Sequence, residues 1–155
     1  MALIRQGVKH DLESICAFDH IAQTDCGERR CFIERSIDEG NCFVVVGDNC
    51  AVAYGVLEYS FYEQGFMAMR YVAEQHRRNN YGTMLMRHME AICRTHKVFT
   101  ATNLSNLAMQ SLLAKLGYRL SGVIHGLEEN DPELVYLKSR GKAPPNNDAM
   151  HPDRE

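Results

Sequence analysis

One stretch limits what this chain can fold into more than any other, RYVAEQHRRNNYGTMLMRHM from Arg70 to Met89. It begins like the end of a strand, continues as a polar turn rich in Arg and Asn, and then places Leu85, Met89 and Cys93 at helical spacing. A strand that turns directly into a helix aims the free N–H groups of the first helical turn, and the positive end of the helix dipole, at one point. The stretch therefore predicts an anion-binding site.

The turn itself resembles a known anion-binding loop. Arg77, Asn80 and Gly82 take the defined positions of Q/R-x-x-G-x-G/A, the pyrophosphate loop of the GNAT superfamily of acyl-CoA-dependent N-acyltransferases. Val72 and Leu85 match the strand and helix on either side of that loop. Asn80 replaces a glycine, and we expect the loop to accept it because asparagine tolerates a left-handed backbone better than other non-glycine residues. The alternative is an ordinary strand-to-helix turn with a basic, solvated face.

A second segment, at 106–118, is similar to the family pattern N-x-x-A-x-x-L-Y-x-K-x-G-F. The residues in register with this pattern are Asn106, Leu112, Lys115, Gly117 and Tyr118. Met109 replaces a small alanine, which is a change of packing. Two motifs in the expected order and on the expected element types are much more specific than either alone, and together they identify the chain as a member of the family.

One departure from the second motif concerns the chemistry. Leu113 stands where many members carry a tyrosine that is proposed to protonate the departing CoA thiolate. A thiolate of pKa about 8.5 is a reasonable leaving group near neutral pH, so the reaction does not depend on that acid. Solvent, Ser111 and Ser105 are the alternatives for the role.

The order of predicted elements agrees with the resemblance. Hydrophobic spacing and turn residues predict a strand, two helices, three antiparallel strands, a helix, a strand, a helix and two last strands. A strand at 97–102 directly after a helix favours a parallel crossover. The predicted fold class is α/β, a GNAT-like mixed, mostly antiparallel sheet with helices on both faces. Residues 1–139 are predicted to form one domain, and the polar, Pro-rich residues 140–155 a disordered tail.

The resemblance implies acetyl-CoA as co-substrate and no metal ion. In this interpretation the loop N–H groups hold the diphosphate, and N–H groups near Tyr71 and Val72 hold the pantetheine arm and polarise the thioester. Asn106 is carried over as a pantetheine contact, and it suits the N-cap of the helix that begins there equally well. The predicted cofactor-binding residues are Tyr71, Val72, Arg77, Arg78, Asn79, Asn80, Tyr81, Gly82, Thr83 and Asn106.

The acceptor amine needs a base. A primary amine is protonated at pH 7, so a side chain or a water chain must remove a proton before attack. Glu58 is the predicted base, because alternation along its strand and the following hairpin are expected to place it beside Met69. Tyr59 is its alternative, and Ser111 completes the predicted catalytic set.

An acidic loop near the end of the chain suits a cationic substrate. Its carboxylates are Glu128, Glu129, Asp131 and Glu133. A ring of carboxylates at the open end of the sheet would attract an ammonium group. The alternative is an ordinary solvated loop. His20 and His125 are further candidates for a base.

Composition limits the remaining classes of function. A chain of 155 residues with 45% hydrophobic content suits one core, and a net charge of −3 with mixed signs argues against a nucleic-acid partner. No apolar run approaches the ~20 residues that span a bilayer, and the N-terminus lacks a signal-peptide pattern, so we expect a cytoplasmic protein without a membrane partner. The six cysteines lack the usual zinc spacings and are interpreted as reduced thiols. Whether the chain forms a homodimer stays open.

These observations predict an N-acetyltransferase that moves an acetyl group from acetyl-CoA to the amine of a small, cationic molecule. Two alternatives remain. The first is a non-catalytic acyl-CoA-binding module of the same fold, which the missing tyrosine at position 113 favours. The second is a protein or peptide N-acetyltransferase, which requires an exposed groove. The sequence does not identify the amine or the preferred acyl chain.

Overall fold

Seven strands form a single sheet within residues 2–141, the part of the chain that the computed structural model describes. In chain order they are β1 (Leu3–Gln6), β2 (Cys42–Gly47), β3 (Cys50–Phe61), β4 (Gln64–Val72), β5 (Lys97–Asn103), β6 (Arg119–Ile124) and β7 (Glu133–Ser139). Their order across the sheet is β1-β2-β3-β4-β5-β7-β6. β4 and β5 pair in parallel, as the sequence predicts for a strand that follows a helix, and the other neighbours pair antiparallel.

Five α-helices in the same residues cover the sheet: α1 (Leu12–Phe18), α2 (His20–Thr24), α3 (Glu28–Asp38), α4 (Tyr81–Ile92) and α5 (Leu107–Lys115). The sequence predicts all of them except α2, which is too short to show a helical period. Its start is fixed by Asp19, whose carboxylate accepts hydrogen bonds from the N–H groups of Ile21 and Ala22 at 3.0 and 3.3 Å. Among these helices, none combines the length and the hydropathy that crossing a membrane requires.

The apolar residues form two clusters, one on each face of the sheet. Leu85 and Met89 of α4 and Leu113 of α5 belong to the first, whereas α1 and α3 contribute to the second. Neighbouring residues of β3 divide between them, with Ala53 in the first cluster and Tyr54 in the second. Side chains alternate along a strand, so the two clusters lie on opposite faces. The prediction of helices on both faces is confirmed.

The β3–β4 hairpin differs from its predicted register. The sequence places the turn at 63–65, but the strands meet across Tyr62 and Glu63, both with positive φ, and Phe61 pairs with Gln64. The register then shifts between Glu58 and Phe61, so Glu58 pairs with Phe66, and Met69 pairs with Val56. The expectation that Glu58 lies beside Met69 is therefore wrong.

β4 and β5 separate after a short stretch of pairing. Their register runs only through Gly65–Val98, Phe66–Phe99 and Met67–Thr100. Immediately beyond it, β4 carries a bulge, because Met67 and Met69 pair with consecutive residues of β3 and Ala68 is the extra residue. A bulge bends and twists its strand. The part of β4 from Ala68 to Val72 therefore lacks a partner on its β5 side within the described residues, and a cleft opens there.

Arg140 and Gly141, which follow the predicted domain boundary at 139, contact the segment after α4. The Arg140 N–H donates to the carbonyl of His96 at 2.7 Å, and the Arg140 guanidinium donates to the carbonyls of Cys93 and Thr95 after α4. His96 Nδ1 lies 2.8 Å from the Gly141 carbonyl oxygen. The domain boundary at 139 stays a prediction. The rest of the predicted tail, 142–155, lies outside the described residues.

Candidate active site

A cavity of about 490 Å³ lies at the N-terminus of α4, and we call it the loop cavity. It is lined by Arg70, Tyr71, Val72, His76, Arg77, Arg78, Asn80, Tyr81, Gly82, Thr83, Asn106 and Ala108. Among these described lining residues three are arginines and none is acidic. The first N–H groups of a helix have no intrahelical acceptor, and they add positive potential to the arginines. The positive potential of the loop cavity therefore suits the binding of an anion.

The backbone of the loop has the conformation expected from the sequence. Asn80 is the N-cap residue of α4 and is left-handed, with φ 61° and ψ 16°. Arg78 also has a positive φ, of 73°. The prediction that asparagine takes a left-handed position in place of glycine is confirmed.

Arg77 is held against the end of β4. Its Nε donates to the Val72 carbonyl oxygen at 3.3 Å, and its guanidinium carbon lies 5.9 Å from the centre of the Tyr71 ring. These contacts leave the two terminal nitrogens of Arg77 for other acceptors. Arg77 is therefore oriented by its own strand and lines the cavity.

Nine of the ten predicted cofactor-binding residues line the loop cavity, and Asn79 is the exception. Asn106 is the N-cap of α5, and its Oδ1 accepts from the Met109 N–H at 3.1 Å. Asn106 also lines the loop cavity, where the pantetheine contact is predicted. Sequence reasoning missed Arg70, His76 and Ala108. Arg70 lies on the strand before the motif, so no loop pattern includes it.

A second cavity, of about 370 Å³, occupies the opening between β4 and β5, and we call it the cleft cavity. Its walls include Ala68 and Met69 of β4, Ala101 to Asn103 of β5 and Met109 of α5. Arg70 and Asn106 line both cavities, so the two adjoin. The cleft cavity is the natural continuation of the loop cavity into the sheet.

Two carboxylates of the acidic loop reach the cleft cavity, Glu128 and Glu133. Glu133 is half-buried and pairs with Asn103 of β5 and Ile124 of β6. Burial raises the pKa of the Glu133 carboxyl, and the negative charges of Glu128 and Asp131 raise it further. Glu133 therefore holds a proton more readily than an ordinary glutamate.

A buried polar network includes Arg29 of α3, which lines the cleft cavity. Asp19 is fully buried, and its Oδ2 accepts from the Tyr54 hydroxyl at 2.5 Å and lies 3.5 Å from Arg29 Nη1. Arg29 also contacts the Tyr54 oxygen at 3.3 Å and lines the cavity. Burial is the main cause that raises the pKa of Tyr54, and the hydrogen bond to Asp19 raises it further. Tyr54 therefore stays protonated. The network fixes Arg29 beside the cleft.

The comparisons with known proteins agree with this geometry. Residues 10–118 match the family model described as Acetyltransferase (GNAT) family. The chain belongs to the GNAT acetyltransferase family. The family and the fold class predicted from the sequence are thereby confirmed. A search of the curated proteins found no match.

Solved structures of GNAT acetyltransferases are similar to this chain over 90% or more of its length. A GNAT acetyltransferase from Bacillus cereus ATCC 10987 is 31% identical, with a TM-score of 0.83 over 92% of this chain and 99% of that one. The ribosomal-protein-S18-alanine N-acetyltransferase from Escherichia coli is 14% identical, with a TM-score of 0.75 over 94% and 98%. A candidate streptothricin acetyltransferase from Bacillus anthracis str. Ames, in complex with acetyl coenzyme A, is 12% identical, with a TM-score of 0.72 over 90% and 97%. The last two show the fold alone.

The structure separates the predicted catalytic residues of this GNAT family member from both cavities. Glu58 lies beside the closed part of the β4–β5 pair and accepts from the Ser60 hydroxyl at 3.1 Å. The Tyr59 hydroxyl accepts from the Arg94 N–H at 3.1 Å, under the Arg94 guanidinium. Ser111 is exposed on α5. Among the described residues, none of the three lines the loop cavity or the cleft cavity.

The remaining candidates for proton transfer also have other contacts. Leu113, at the position of the GNAT tyrosine, is fully buried in the first apolar cluster. The Ser105 hydroxyl donates to Asp131 Oδ2 at 2.6 Å. His20 lies 3.6 Å from the Glu74 carboxylate at the exposed surface, and His125 is exposed. In residues 2–141 no group of three or more His, Cys, Asp or Glu side chains is arranged to hold a metal ion.

Proposed function

We propose that this GNAT family member is an acetyl-CoA-dependent N-acetyltransferase that acts on a small, cationic amine. The observation that supports this most directly is the pair of adjoining cavities. The loop cavity carries arginines and a helix N-terminus, and the cleft cavity carries Glu128 and Glu133. One end suits an anionic co-substrate and the other a cationic acceptor, and the two meet at Arg70 and Asn106.

The residues present fit acyl-CoA. The N–H groups of the first turn of α4, from Tyr81 to Thr83, and the Arg77 and Arg78 side chains would hold the diphosphate. Asn106 lies where the two cavities join and would contact the pantetheine arm. When bound, acetyl-CoA supplies an acetyl group as a thioester. The Bacillus anthracis protein of the same fold was solved with acetyl coenzyme A, which supports this assignment.

The backbone beside the β4 bulge would polarise the thioester carbonyl. Tyr71 and Val72 line the loop cavity, whereas Ala68 and Met69 line the cleft cavity. Ala68 and Met69 also lie beyond the last residue of β4 that pairs with β5. We therefore assign the donor to this stretch and not to Tyr71 and Val72. A preorganised backbone donor of this kind contributes about 3 kcal/mol to an acyl transfer.

The two carboxylates of the cleft would receive the amine. Glu128 and Glu133 attract an ammonium group by charge. Glu133 then takes the proton that the amine must lose, since its raised pKa brings it closer to that of the amine. This assignment replaces Glu58 as the base, and it uses two of the four acidic-loop residues.

The experiment is a thiol-release assay with acetyl-CoA against a panel of acceptors, run beside calorimetry of CoA binding. The panel contains polyamines, aminoglycosides, free amino acids and peptides with free N-termini. Turnover with a small cationic amine is the expected result. CoA binding without turnover of any acceptor would favour the non-catalytic module, and turnover of peptides alone would favour a peptide acetyltransferase.

Reversing the charge of Arg77 is expected to weaken CoA binding about tenfold or more, because a charge-assisted hydrogen bond contributes about 1.5–3 kcal/mol. Calorimetry of Arg77→Glu measures the dissociation constant. Arg87→Glu is the matched control, since Arg87 is exposed on the same helix and lines neither cavity. Equal CoA affinity in wild type and a folded Arg77→Glu protein would remove the loop cavity as the diphosphate site.

Replacing Asn80 with glycine is expected to leave CoA affinity unchanged or to increase it. Glycine adopts the left-handed backbone of this position without a steric penalty and leaves more room for phosphate. The same calorimetric titration measures the effect. A loss of affinity of about tenfold or more would show that the Asn80 side chain itself contacts the ligand.

A further inference from the structure

The guanidinium of Arg70 lies between the two cavities and has only weak partners. Its Nη2 lies 3.0 Å from the Met109 sulfur, which is a weak acceptor. Its Nε is buried and has no hydrogen-bond partner among the described residues. No carboxylate of residues 2–141 lies within ion-pair distance of it. Arg70 is thus a partly buried charged group that residues 2–141 leave without an ion-pair partner.

The surroundings of Arg70 make its charge still less favourable. A side chain at Gly82 would collide with Nη1 of Arg70, so this nitrogen packs directly on the first turn of α4. The N-terminus of a helix is the positive end of its dipole and repels a cation. Burial also lowers the pKa of Arg70, although an arginine remains charged at neutral pH. An anion bound beside Gly82 would pair with the Arg70 charge and would offset both its burial and its repulsion by the helix N-terminus.

We propose that Arg70 is a ligand of the CoA diphosphate, and that this anion is the charge partner that residues 2–141 do not supply. The proposal rests on the proposed function and adds a binding residue that lies outside the loop motif. Nη1 packs on Gly82, which lines the loop cavity, whereas Nη2 contacts Met109, which lines the cleft cavity. The fork of Arg70 therefore spans the junction where the diphosphate continues into pantetheine, and a guanidinium binds phosphate oxygens with two parallel hydrogen bonds.

This assignment predicts effects of opposite sign on stability and on binding. Removing an unpaired, partly desolvated charge stabilises a protein, whereas removing a structural residue destabilises it. Methionine is a suitable replacement because it is unbranched and fills irregular space without charge. Arg70→Met is expected to raise the melting temperature of the free protein by about 2 °C or more. The same variant is expected to weaken CoA binding about tenfold or more.

The experiment measures thermal unfolding without ligand, and calorimetric titration with CoA, pantetheine and inorganic pyrophosphate. Arg70→Met should lose affinity for CoA and for pyrophosphate and keep its affinity for pantetheine within about twofold. Arg70→Lys should fall between wild type and Arg70→Met, because it keeps the charge and loses the fork. Arg119→Met, at an exposed position of β6, is the matched control and should bind all three probes like the wild type.

Three outcomes would overturn the proposal: unchanged CoA affinity in Arg70→Met, a melting temperature of the free variant below that of the wild type, or an equal loss of pantetheine affinity. The pyrophosphate titration separates this proposal from the proposed function. If the wild type binds pyrophosphate through Arg70 but not CoA, the acetyltransferase assignment fails and the anion site stands. If it binds CoA and the loss on Arg70→Met is absent, only the role of Arg70 fails.

Discussion

Replacing Glu133 with glutamine is expected to lower kcat about a hundredfold or more and to leave CoA affinity unchanged. The variant keeps the size of the side chain and removes the group that accepts the amine proton, and general bases contribute about 10²–10⁴ to such reactions. Steady-state kinetics with one accepted amine measures kcat, and calorimetry measures the CoA dissociation constant. The effect should appear in kcat and kcat/KM alike, because the proton is transferred during reaction.

The pH profile gives an independent reading of the same residue. Burial, with Glu128 and Asp131 nearby, raises the pKa of Glu133, and a base acts only when deprotonated. Activity of the wild type should therefore rise with pH through a step above the usual range of a glutamate. Glu128→Gln should shift that step to lower pH, since it removes a negative neighbour. The step should be absent in Glu133→Gln.

Two control variants test whether the loss of activity requires a carboxylate that lines the cleft cavity, or follows from the loss of any nearby carboxylate. Glu129→Gln removes a carboxylate of the same loop that is exposed and does not line the cleft cavity. Glu58→Gln removes the residue that the strand pattern alone would select. Both are expected to keep kcat within about twofold of wild type. If Glu133→Gln retains full kcat from pH 6 to 9, or if Glu58→Gln loses it, the assignment of Glu133 is wrong.

Removing the Asp19 carboxylate is expected to cost about 3–5 kcal/mol of unfolding free energy, the largest effect on stability anticipated here. Asp19→Ala leaves the Tyr54 hydroxyl without its acceptor and the Arg29 guanidinium, only 16% exposed, without its counter-ion. It also removes the cap of α2. Equilibrium denaturation in urea, followed by circular dichroism, measures the loss.

An exposed ion pair on neighbouring elements provides the matched control. Glu13 and Arg30 form a salt bridge with side chains 77% and 43% exposed. Exposed pairs are screened by solvent, so Glu13→Ala should leave the urea midpoint nearly unchanged. Asp19→Asn should lie between the two, because the amide oxygen still accepts hydrogen bonds but carries no charge. Equal midpoints for Asp19→Ala and Glu13→Ala would show that the buried network contributes little.

The loop cavity was accessible to sequence reasoning because its residues are nearly contiguous. Arg77, Asn80 and Gly82 belong to one turn, and the conformation of a turn depends mainly on local backbone preferences. Asn80 is left-handed as its residue type allows, and the strand and helix around it follow from hydrophobic spacing. The conformation of this turn and of its flanking strand and helix can therefore be predicted without the rest of the fold.

The predicted position of Glu58 beside Met69 is wrong for a physical reason. Alternation fixes which face of a strand a side chain occupies, but it does not fix the register between strands. The tight turn at Tyr62 and Glu63 and a register shift between Glu58 and Phe61 place Glu58 opposite Phe66. Glu133 reaches the cleft because β7 inserts between β5 and β6, a sheet order that no local pattern records.

The sequence by itself determined the family, through the resemblance of two motifs. It also determined the layered α/β fold and the left-handed backbone at Asn80, because hydrophobic period and turn chemistry are properties of neighbouring residues. Only the tertiary structure decided which carboxylates face the cleft, that Leu113 is core, and that Asp19 holds Arg29 and Tyr54. It also placed Arg70 between the cavities, with its Nε lacking a hydrogen-bond partner among residues 2–141. Each of these depends on residues distant in the chain, and such contacts are fixed by strand order, register and packing, not by local preference.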